Sequence, residues 1–126
     1  MKILEGKKVA EEILGNLREK IAAENVKPCL AVVLVGNDPA SHLYVSLKEK
    51  AAGRMGIEIR KHLLDAAVSQ EDVIDTIERL NADESVDGIL VQMPLPEKFY
   101  TQEIIDALDP SKDVDGFHPK NERLFV

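Results

Sequence analysis

The sequence contains no tryptophan, one cysteine and few aromatic residues. Cys29 has no partner within the chain for a disulfide, and its position in PCLAVVLVG predicts a buried strand residue in a reducing compartment. No apolar run approaches the roughly 20 residues that cross a bilayer, and the first residues lack the apolar core of a signal peptide. These absences predict a cytoplasmic protein without a membrane partner.

Positive charge is also scarce, because the formal net charge is −7 and lysines and arginines form no run. This balance argues against nucleic acid as a partner and favours a small polar substrate. The three histidines have no metal-ligand spacing, so no metal site is expected. The chain has neither a G-x-G-x-x-G pattern nor a phosphate-binding G-x-x-x-x-G-K-[ST] pattern, so we expect no nucleotide cradle in it.

What the sequence does contain is an alternation of helical and strand patterns. An apolar residue at every fourth position among charged residues indicates an amphipathic helix at the start of the chain, and continuous aliphatic runs indicate buried strands. The predicted elements are a helix over 6–25, a strand over 29–35, a helix over 41–55, a strand over 57–64, a helix from residue 69, a strand over 87–92 and a short helix over 101–108.

This alternation predicts an α/β fold, with an open, mainly parallel sheet of three to four strands and helices on both faces. A chain of 126 residues is long enough for one such domain and too short for two. Ligands of open parallel sheets bind beyond the carboxyl ends of the strands. That rule selects the segments GNDPAS and QMPLP as the places where function is expected.

The helix predicted over 41–55, with Ser41 as its expected cap, places a lysine among apolar side chains. At about 100° per residue, one apolar face is formed by Tyr44, Leu47, Ala51 and Met55. Lys48 and Ser41 fall inside this face. Lys48 either extends its ammonium along apolar surface to solvent, or directs it into a partly desolvated cleft where it carries protons. Tyr44, four residues before Lys48, is either a core residue or a ligand contact.

Polar residues near the ends of the later elements present similar choices. Gln92 ends a buried strand before MPLP, so it either opens into a polar site or satisfies the backbone of the loop. Asp113 and Asp115 stand two residues apart in KDVDGFHP. A carboxylate there either accepts two hydrogen bonds from the edge of a pterin or guanine ring, or bonds the backbone of its own turn.

Together, YVSLK, DGILVQMPLP and KDVDGFHP resemble the amino-terminal catalytic domain of bifunctional methylenetetrahydrofolate dehydrogenase/methenyltetrahydrofolate cyclohydrolase in their order and separation. The similarity includes the opening GKKVAEEI and the stretch VVLVGNDPAS. The resemblance implies an enzyme of one-carbon metabolism and purine biosynthesis. Such an enzyme oxidises 5,10-methylenetetrahydrofolate to 5,10-methenyltetrahydrofolate with NADP or NAD, and hydrolyses the product to 10-formyltetrahydrofolate in the same cleft.

The resemblance also implies roles for individual residues. Lys48 resembles the lysine that handles protons, and Gln92 the glutamine that hydrogen-bonds and tunes that lysine. Tyr44 resembles the residue that packs against the folate and helps hold it. The resemblance thus implies that Lys48, Tyr44 and Gln92 are catalytic residues and that Tyr44 and Gln92 also contact the substrate. Asp115 resembles the carboxylate that anchors the pterin ring. The further substrate contacts that it implies are Ser41, Pro94 and Leu95.

Members of that family carry a second, Rossmann-type domain for the nicotinamide cofactor and form homodimers. We therefore predict that residues 1–118 form the folate-binding domain, that 119–126 begin the junction to a domain missing from this chain, and that this chain alone binds no cofactor. NERL departs there from the family's Asn-x-Gly-x-Leu pattern. We also expect Met93, Leu95 and Phe117 to expose apolar surface toward the missing domain.

Two other interpretations compete with this one. The first is a module that binds folates or another chain without turnover. The second is a flavodoxin-like domain, which we rank below the others because the aspartate in GNDPAS would repel phosphate.

Overall fold

The computed structural model describes residues 1 and 3–125 and shows the predicted alternation of helices and strands. The elements are α1 (Gly6–Glu24), β1 (Cys29–Val35), α2 (Pro39–Met55), β2 (Glu58–Leu64), α3 (Gln70–Ala82), β3 (Gly88–Val91), α4 (Thr101–Asp106), α5 (Pro119–Glu122) and a 3₁₀ helix (Arg123–Phe125). The predicted junction over 119–126 falls on the last two elements, and Val126 lies outside the described residues.

The three strands form one parallel sheet in the order β2-β1-β3, which confirms the predicted fold class. β1 is the central strand, and Ala31 aligns with Arg60 of β2 on one side and with Ile89 of β3 on the other. Both faces of a central parallel strand are covered, which explains why β1 is continuously apolar. Cys29 is buried in it, and desolvation raises the pKa of its thiol.

Helices cover the sheet on both faces, as predicted. On one face, α3 and α4 supply Val73, Ile77 and Ile104 to the larger core cluster. On the other, Val45 of α2 packs with Val32 of β1 in a smaller cluster. The sheet is therefore fixed between two helical layers, and the start of α2 lies beside the carboxyl end of β1.

The amino end of α2 differs from the prediction. The helix begins at Pro39, and Asp38 is its N-cap rather than Ser41. The Asp38 carboxylate accepts hydrogen bonds from the Ser41 backbone N–H at 3.0 Å and from the Ser41 hydroxyl at 2.8 Å. These bonds, with the hydroxyl contributing most, lower the pKa of Asp38. An aspartate before Pro39 satisfies the free N–H groups of the first turn, which leaves Ser41 inside the helix.

The face that α2 presents to the sheet also differs from the predicted apolar face. Tyr44, Leu47 and Ala51 are exposed, and Met55 is half-buried. The residues buried or half-buried toward the sheet are Ser41, Val45, Lys48 and Ala52. The predicted inward face, based on apolar side chains alone, is therefore rotated from the observed one. The observed face includes two polar residues, Ser41 and Lys48. Lys48 lies on the inward face as expected, but its neighbours on that face are Ser41, Val45 and Ala52 rather than the predicted apolar residues.

Other apolar residues are exposed as well. Helix α1 exists as predicted, yet Val9, Ile13 and Leu17 on its apolar stripe are exposed and only Ile21 is buried. Phe117 is exposed as expected and Met93 is half-buried, whereas the expectation for Leu95 is wrong, because its side chain belongs to the larger core cluster. Among the described residues, no helix is long and apolar enough to cross a bilayer.

Candidate active site

Gln92 lies at the carboxyl end of β3, where the strand leaves the core. Its backbone N–H donates to the carbonyl of Val33 at 2.9 Å, which extends the pairing with β1 by one residue. The side chain is 7% exposed. Its amide Nε2 donates to the carbonyl of Met93 at 2.8 Å, and its Oε1 accepts from the ammonium of Lys48 at 2.8 Å. The first bond fixes the orientation of the amide, so the oxygen faces Lys48.

Lys48 reaches Gln92 from the sheet-facing side of α2. The side chain is half-buried, and its ammonium donates to a buried amide oxygen rather than ending in bulk solvent. Of the two interpretations of this lysine, the geometry therefore favours a cleft-facing ammonium. This hydrogen bond joins α2 to the end of β3 through two residues that are 44 positions apart in the chain.

Asp115 brings a negative charge close to this pair. Desolvation raises the pKa of its carboxyl, the positive charge of Lys48 opposes that rise, and the negative charge of Asp113 adds to it. Within residues 3–125, no hydrogen bond holds the Asp115 carboxylate. The site thus combines an ammonium, a buried neutral amide and an exposed carboxylate that can accept hydrogen bonds from a ligand.

Asp113 has the alternative role that the sequence left open, because it bonds the backbone of its own turn. Its carboxylate accepts the backbone N–H groups of Gly116 at 3.1 Å and His118 at 2.8 Å, and the Nδ2 of Asn121 at 3.0 Å. Gly116 has φ 72°, which favours glycine at that point of the turn. The two aspartates of DVDG therefore differ: Asp113 accepts three hydrogen bonds from its own turn, whereas the Asp115 carboxylate accepts none from residues 3–125.

The remaining predicted site residues differ in exposure, because two are at the surface and two are buried. Tyr44 lies one turn before Lys48 on α2 and is 55% exposed. Pro94 is exposed and follows a cis peptide bond with Met93. Ser41 and Leu95 are buried, the first against Asp38 and the second in the core. The structure thus brings Lys48, Gln92 and Asp115 together and leaves Tyr44 at the rim.

A cavity of about 330 Å³ adjoins this cluster. Met93 and Gly116, the sequence neighbours of Gln92 and Asp115, line it together with Ile105 and Phe117. Another cavity, of about 430 Å³, is lined by His62, Thr76 and other residues of β2 and α3, and it shares no residue with the cluster. The 330 Å³ cavity is therefore the nearer of the two to the cluster along the chain, although Lys48, Gln92 and Asp115 do not line it and polar Thr101, Gln102 and Glu122 do.

The β1–α2 turn does not suit a dinucleotide. A pyrophosphate binds where a glycine-rich turn leaves the first N–H groups of a helix free. Here the Asp38 carboxylate already accepts from that first turn and would repel a phosphate. Within the described part of the chain, no group of three or more His, Cys, Asp or Glu side chains is arranged to hold a metal ion.

Sequence reasoning did not find the role of Lys112. Its ammonium donates to the carbonyls of Leu80 at 3.1 Å and of Asn81 and Asp83 at 2.8 Å, at the carboxyl end of α3. Lys112 precedes Asp113 and so fixes the start of the segment that carries Asp115. A lysine before an aspartate gives no local signal of such a contact, because the three carbonyls are about 30 residues earlier in the chain.

Comparison with known proteins identifies relatives of the whole chain. Residues 4–115 match the family model described as tetrahydrofolate dehydrogenase/cyclohydrolase, catalytic domain. The chain is 46% identical over 123 residues to the bifunctional protein FolD of Geotalea daltonii and 48% identical over 123 residues to that of Halothermothrix orenii. Each match covers 95% of this chain and 44% of the relative. The chain therefore spans less than half the length of the curated relatives it matches.

Solved structures show the same similarity. The FolD methylenetetrahydrofolate dehydrogenase/cyclohydrolase of Campylobacter jejuni has a TM-score of 0.93 and 41% identity, over 98% of this chain and 45% of that one. The Trypanosoma brucei enzyme, solved with NADP cofactor and an inhibitor, has a TM-score of 0.87 and 31% identity, over 94% of this chain and 42% of that one.

Proposed function

Because the chain belongs to the tetrahydrofolate dehydrogenase/cyclohydrolase family, we propose that it is a folate-binding catalytic domain. Its part in the reaction is to hold the one-carbon derivatives of tetrahydrofolate while methylenetetrahydrofolate is oxidised to the methenyl form and the methenyl form is hydrolysed to 10-formyltetrahydrofolate. The observation that supports this best is the 2.8 Å hydrogen bond from the Lys48 ammonium to the fixed amide oxygen of Gln92.

In the proposed hydrolysis, Lys48 transfers a proton. The oxygen of a water molecule bonds to the cationic methenyl carbon while the neutral amine of Lys48 takes a proton from that water. The ring then opens as the carbon–nitrogen bond breaks, the leaving nitrogen receives a proton from Lys48, and the hydroxyl proton passes to solvent. One proton is released overall, as the loss of the substrate's positive charge requires. Gln92 supports this transfer by holding Nζ in place.

Asp115 and Tyr44 bind the folate rather than reacting with it. A carboxylate without other hydrogen bonds can accept two parallel N–H donors from the pterin edge, and such charged hydrogen bonds are short and strong. Tyr44 offers an exposed aromatic ring one turn from Lys48, suited to packing on the folate. Pro94 contributes exposed surface in the loop after Gln92, whereas Ser41 and Leu95 are buried.

The nicotinamide cofactor, NADP or NAD, would supply the hydride acceptor for the oxidation. Because Asp38 closes the turn where a dinucleotide would bind, we assign the cofactor to residues outside this chain. The same proposal includes a cytoplasmic location, a place in purine biosynthesis and a homodimeric complete enzyme.

Isothermal titration with 5-formyltetrahydrofolate, a stable tetrahydrofolate, tests the binding step on this chain. Asp115→Asn removes the charge and one acceptor facing the pterin, and we expect the dissociation constant to rise by roughly 10- to 100-fold, corresponding to about 1.5–3 kcal/mol for a charged hydrogen bond. Asp83→Asn is the matched control, because Asp83 follows α3 at the opposite end of the sheet. Equal affinities of all three proteins would show that Asp115 does not bind the pterin.

A second candidate, binding without turnover, is favoured by the exposed apolar stripe of α1. Val9, Ile13 and Leu17 form a surface suited to another polypeptide. Folate binding by this chain together with undetectable methenyl hydrolysis would support this candidate. Hydrolysis that depends on Lys48 would exclude it.

A further inference from the structure

The segment that carries Asp115 runs along the free edge of β3. Asp113 forms an isolated parallel bridge with Ile89, whose backbone N–H donates to the carbonyl of Lys112 at 2.7 Å. The ammonium of Lys112 is bound to three carbonyls at the end of α3. The chain is therefore fixed to both β3 and α3 immediately before Asp113.

The approach of this segment to β3 is close. A Cβ atom added to Gly88 would lie 2.6 Å from Cγ1 of Val114 and 3.3 Å from Cδ1 of Leu30. Real Cβ atoms essentially never approach another atom as closely as 2.6 Å, so glycine is what allows Val114 to lie against the strand. The position of the segment is thus determined by backbone pairing and close packing before Asp115.

After Asp115, the segment is held by the carboxylate of Asp113. Its three donors, Gly116, His118 and Asn121, all follow Asp115 in the chain. Desolvation alone would raise the pKa of Asp113, but hydrogen bonds from these groups and from the Phe117 backbone outweigh it and lower that pKa. The three hydrogen bonds from protein donors therefore favour the ionised form of Asp113.

Asp115 lies between these two attachments and, within residues 3–125, has no hydrogen bond of its own. Its position relative to Lys48 is set by its neighbours. We propose that Asp113 is a positioning residue that holds the backbone on the far side of Asp115 and thereby keeps the Asp115 carboxylate within electrostatic reach of the Lys48 ammonium. The consequence for folate binding rests on the proposed function, whereas the positioning itself does not.

A cycle of four proteins tests the positioning without a ligand. We would measure the pKa of the Asp115 carboxyl by carbon-detected NMR in the wild type, Lys48→Met, Asp113→Asn and the double variant. Lys48 on α2 and Asp113 on the same segment are the charged groups that affect it. We expect Lys48→Met to raise the pKa of Asp115 in the wild-type background and to change it little in the Asp113→Asn background. Removing the Asp113 charge also changes the pKa of Asp115 directly. Because this direct change is the same with and without Lys48, it cancels when the two effects of Lys48→Met are compared.

Amide exchange gives an independent readout of the same contact. The N–H groups of Gly116 and His118 donate to different oxygens of Asp113. Asp113→Asn keeps only one acceptor oxygen, so it should accelerate the exchange of at least one of these N–H groups by about tenfold or more. Asp109→Asn is the matched control, since Asp109 is also an aspartate that accepts from its own turn, at Ser111. It should leave both the amide exchange and the effect of Lys48→Met unchanged. An equal effect of Lys48→Met in the wild-type and Asp113→Asn backgrounds would overturn the proposal.

Two further experiments cover a variant that fails to fold and the consequence for folate binding. If Asp113→Asn does not fold, Asn121→Ala removes one donor instead; a smaller loss of the Lys48–Asp115 coupling is then expected, and an unchanged coupling counts against positioning. Titration with 5-formyltetrahydrofolate should show Asp113→Asn weakening affinity about as much as Asp115→Asn. A wild type that does not bind this folate contradicts the proposed function alone, because the NMR cycle still decides the role of Asp113.

Discussion

Replacing Lys48 with methionine tests the central hydrogen bond of the site. Methionine keeps an unbranched apolar chain of similar length, so the packing of α2 on the sheet should survive. What disappears is the ammonium that donates to Gln92 at 2.8 Å. The variant therefore isolates the polar contact and the proton carrier from the apolar stem.

Lys48→Met should lower the free energy of unfolding because it leaves the buried Gln92 amide with one hydrogen bond fewer. Its side chain is 7% exposed, and its Nε2 keeps the bond to Met93, but its Oε1 loses the partner it had. A buried acceptor left without a partner costs about 1–3 kcal/mol. Because Lys48 is only half-buried, water can reach part of the vacated space, and we expect a loss of about 1–2 kcal/mol in the free energy of unfolding.

Urea unfolding of Lys48→Met, Gln92→Met and the double variant measures the interaction between the two side chains as a coupling energy. The double variant should lose about 1–2 kcal/mol less than the sum of the single variants, because neither side chain leaves the other unpaired. Lys50→Met is the control, as Lys50 is exposed on the same helix and should change stability by less than about 0.5 kcal/mol.

The same variants are then assayed for loss of methenyltetrahydrofolate absorbance, corrected for uncatalysed hydrolysis. Where the wild-type chain shows turnover, Lys48→Met should abolish it while 5-formyltetrahydrofolate still binds, and Lys50→Met should behave as the wild type. Near-normal hydrolysis by Lys48→Met would refute its role as the proton carrier. A coupling energy near zero would show that the hydrogen bond to Gln92 is unimportant in solution.

Three further outcomes are expected. Ile77→Ala should lower the free energy of unfolding by about 2–5 kcal/mol, because Ile77 is fully buried, whereas Ile13→Ala on the exposed stripe of α1 should change it by less than about 0.5 kcal/mol in urea unfolding of this chain. Gly88→Ala should destabilise the chain by about 1–3 kcal/mol by pushing Val114 away from β3, and titration should show weaker folate binding; unchanged stability and affinity would contradict the close approach. The lowered pKa of Asp113 contributes stability that is fully present above its ordinary value of 3.8 and is lost as pH falls through the lowered value, so the stability difference between wild type and Asp113→Asn should shrink in acid unfolding curves.

Local chemistry was enough to predict most of the elements. Ser69 caps α3 by accepting the N–H of Asp72 at 3.0 Å, and Gly56 ends α2 with φ 83°, in agreement with the predicted helix start at residue 69 and helix end at residue 55. Caps, stops and strand burial depend on residues within a few positions of one another, so one sequence suffices to find them. The Asp38 cap was missed because Asp38 and Ser41 both fit the N-cap position, and the backbone rather than the residue type decides between them.

The sequence also predicted where Lys48 and Gln92 would meet. The rule that parallel sheets bind ligands beyond their carboxyl ends selected the loop after β3, where Gln92 meets Lys48. It did so without any long-range contact, because strand direction follows from the alternation of helices and strands. The resemblance of YVSLK, DGILVQMPLP and KDVDGFHP then assigned individual residues to roles that periodicity left open.

Only the tertiary structure decided how side chains with similar local sequence differ in role. The resemblance assigned a ligand role to Asp115 but none to Asp113, which occupies the same turn. The structure shows that Asp113 bonds the backbone of this turn and pairs with β3 through Ile89. Helix α2 buries a side that includes Lys48, and α1 leaves its apolar stripe exposed. A hydrophobic pattern states that a face needs a partner, but the partner and the exact face are set by packing against elements distant in the chain.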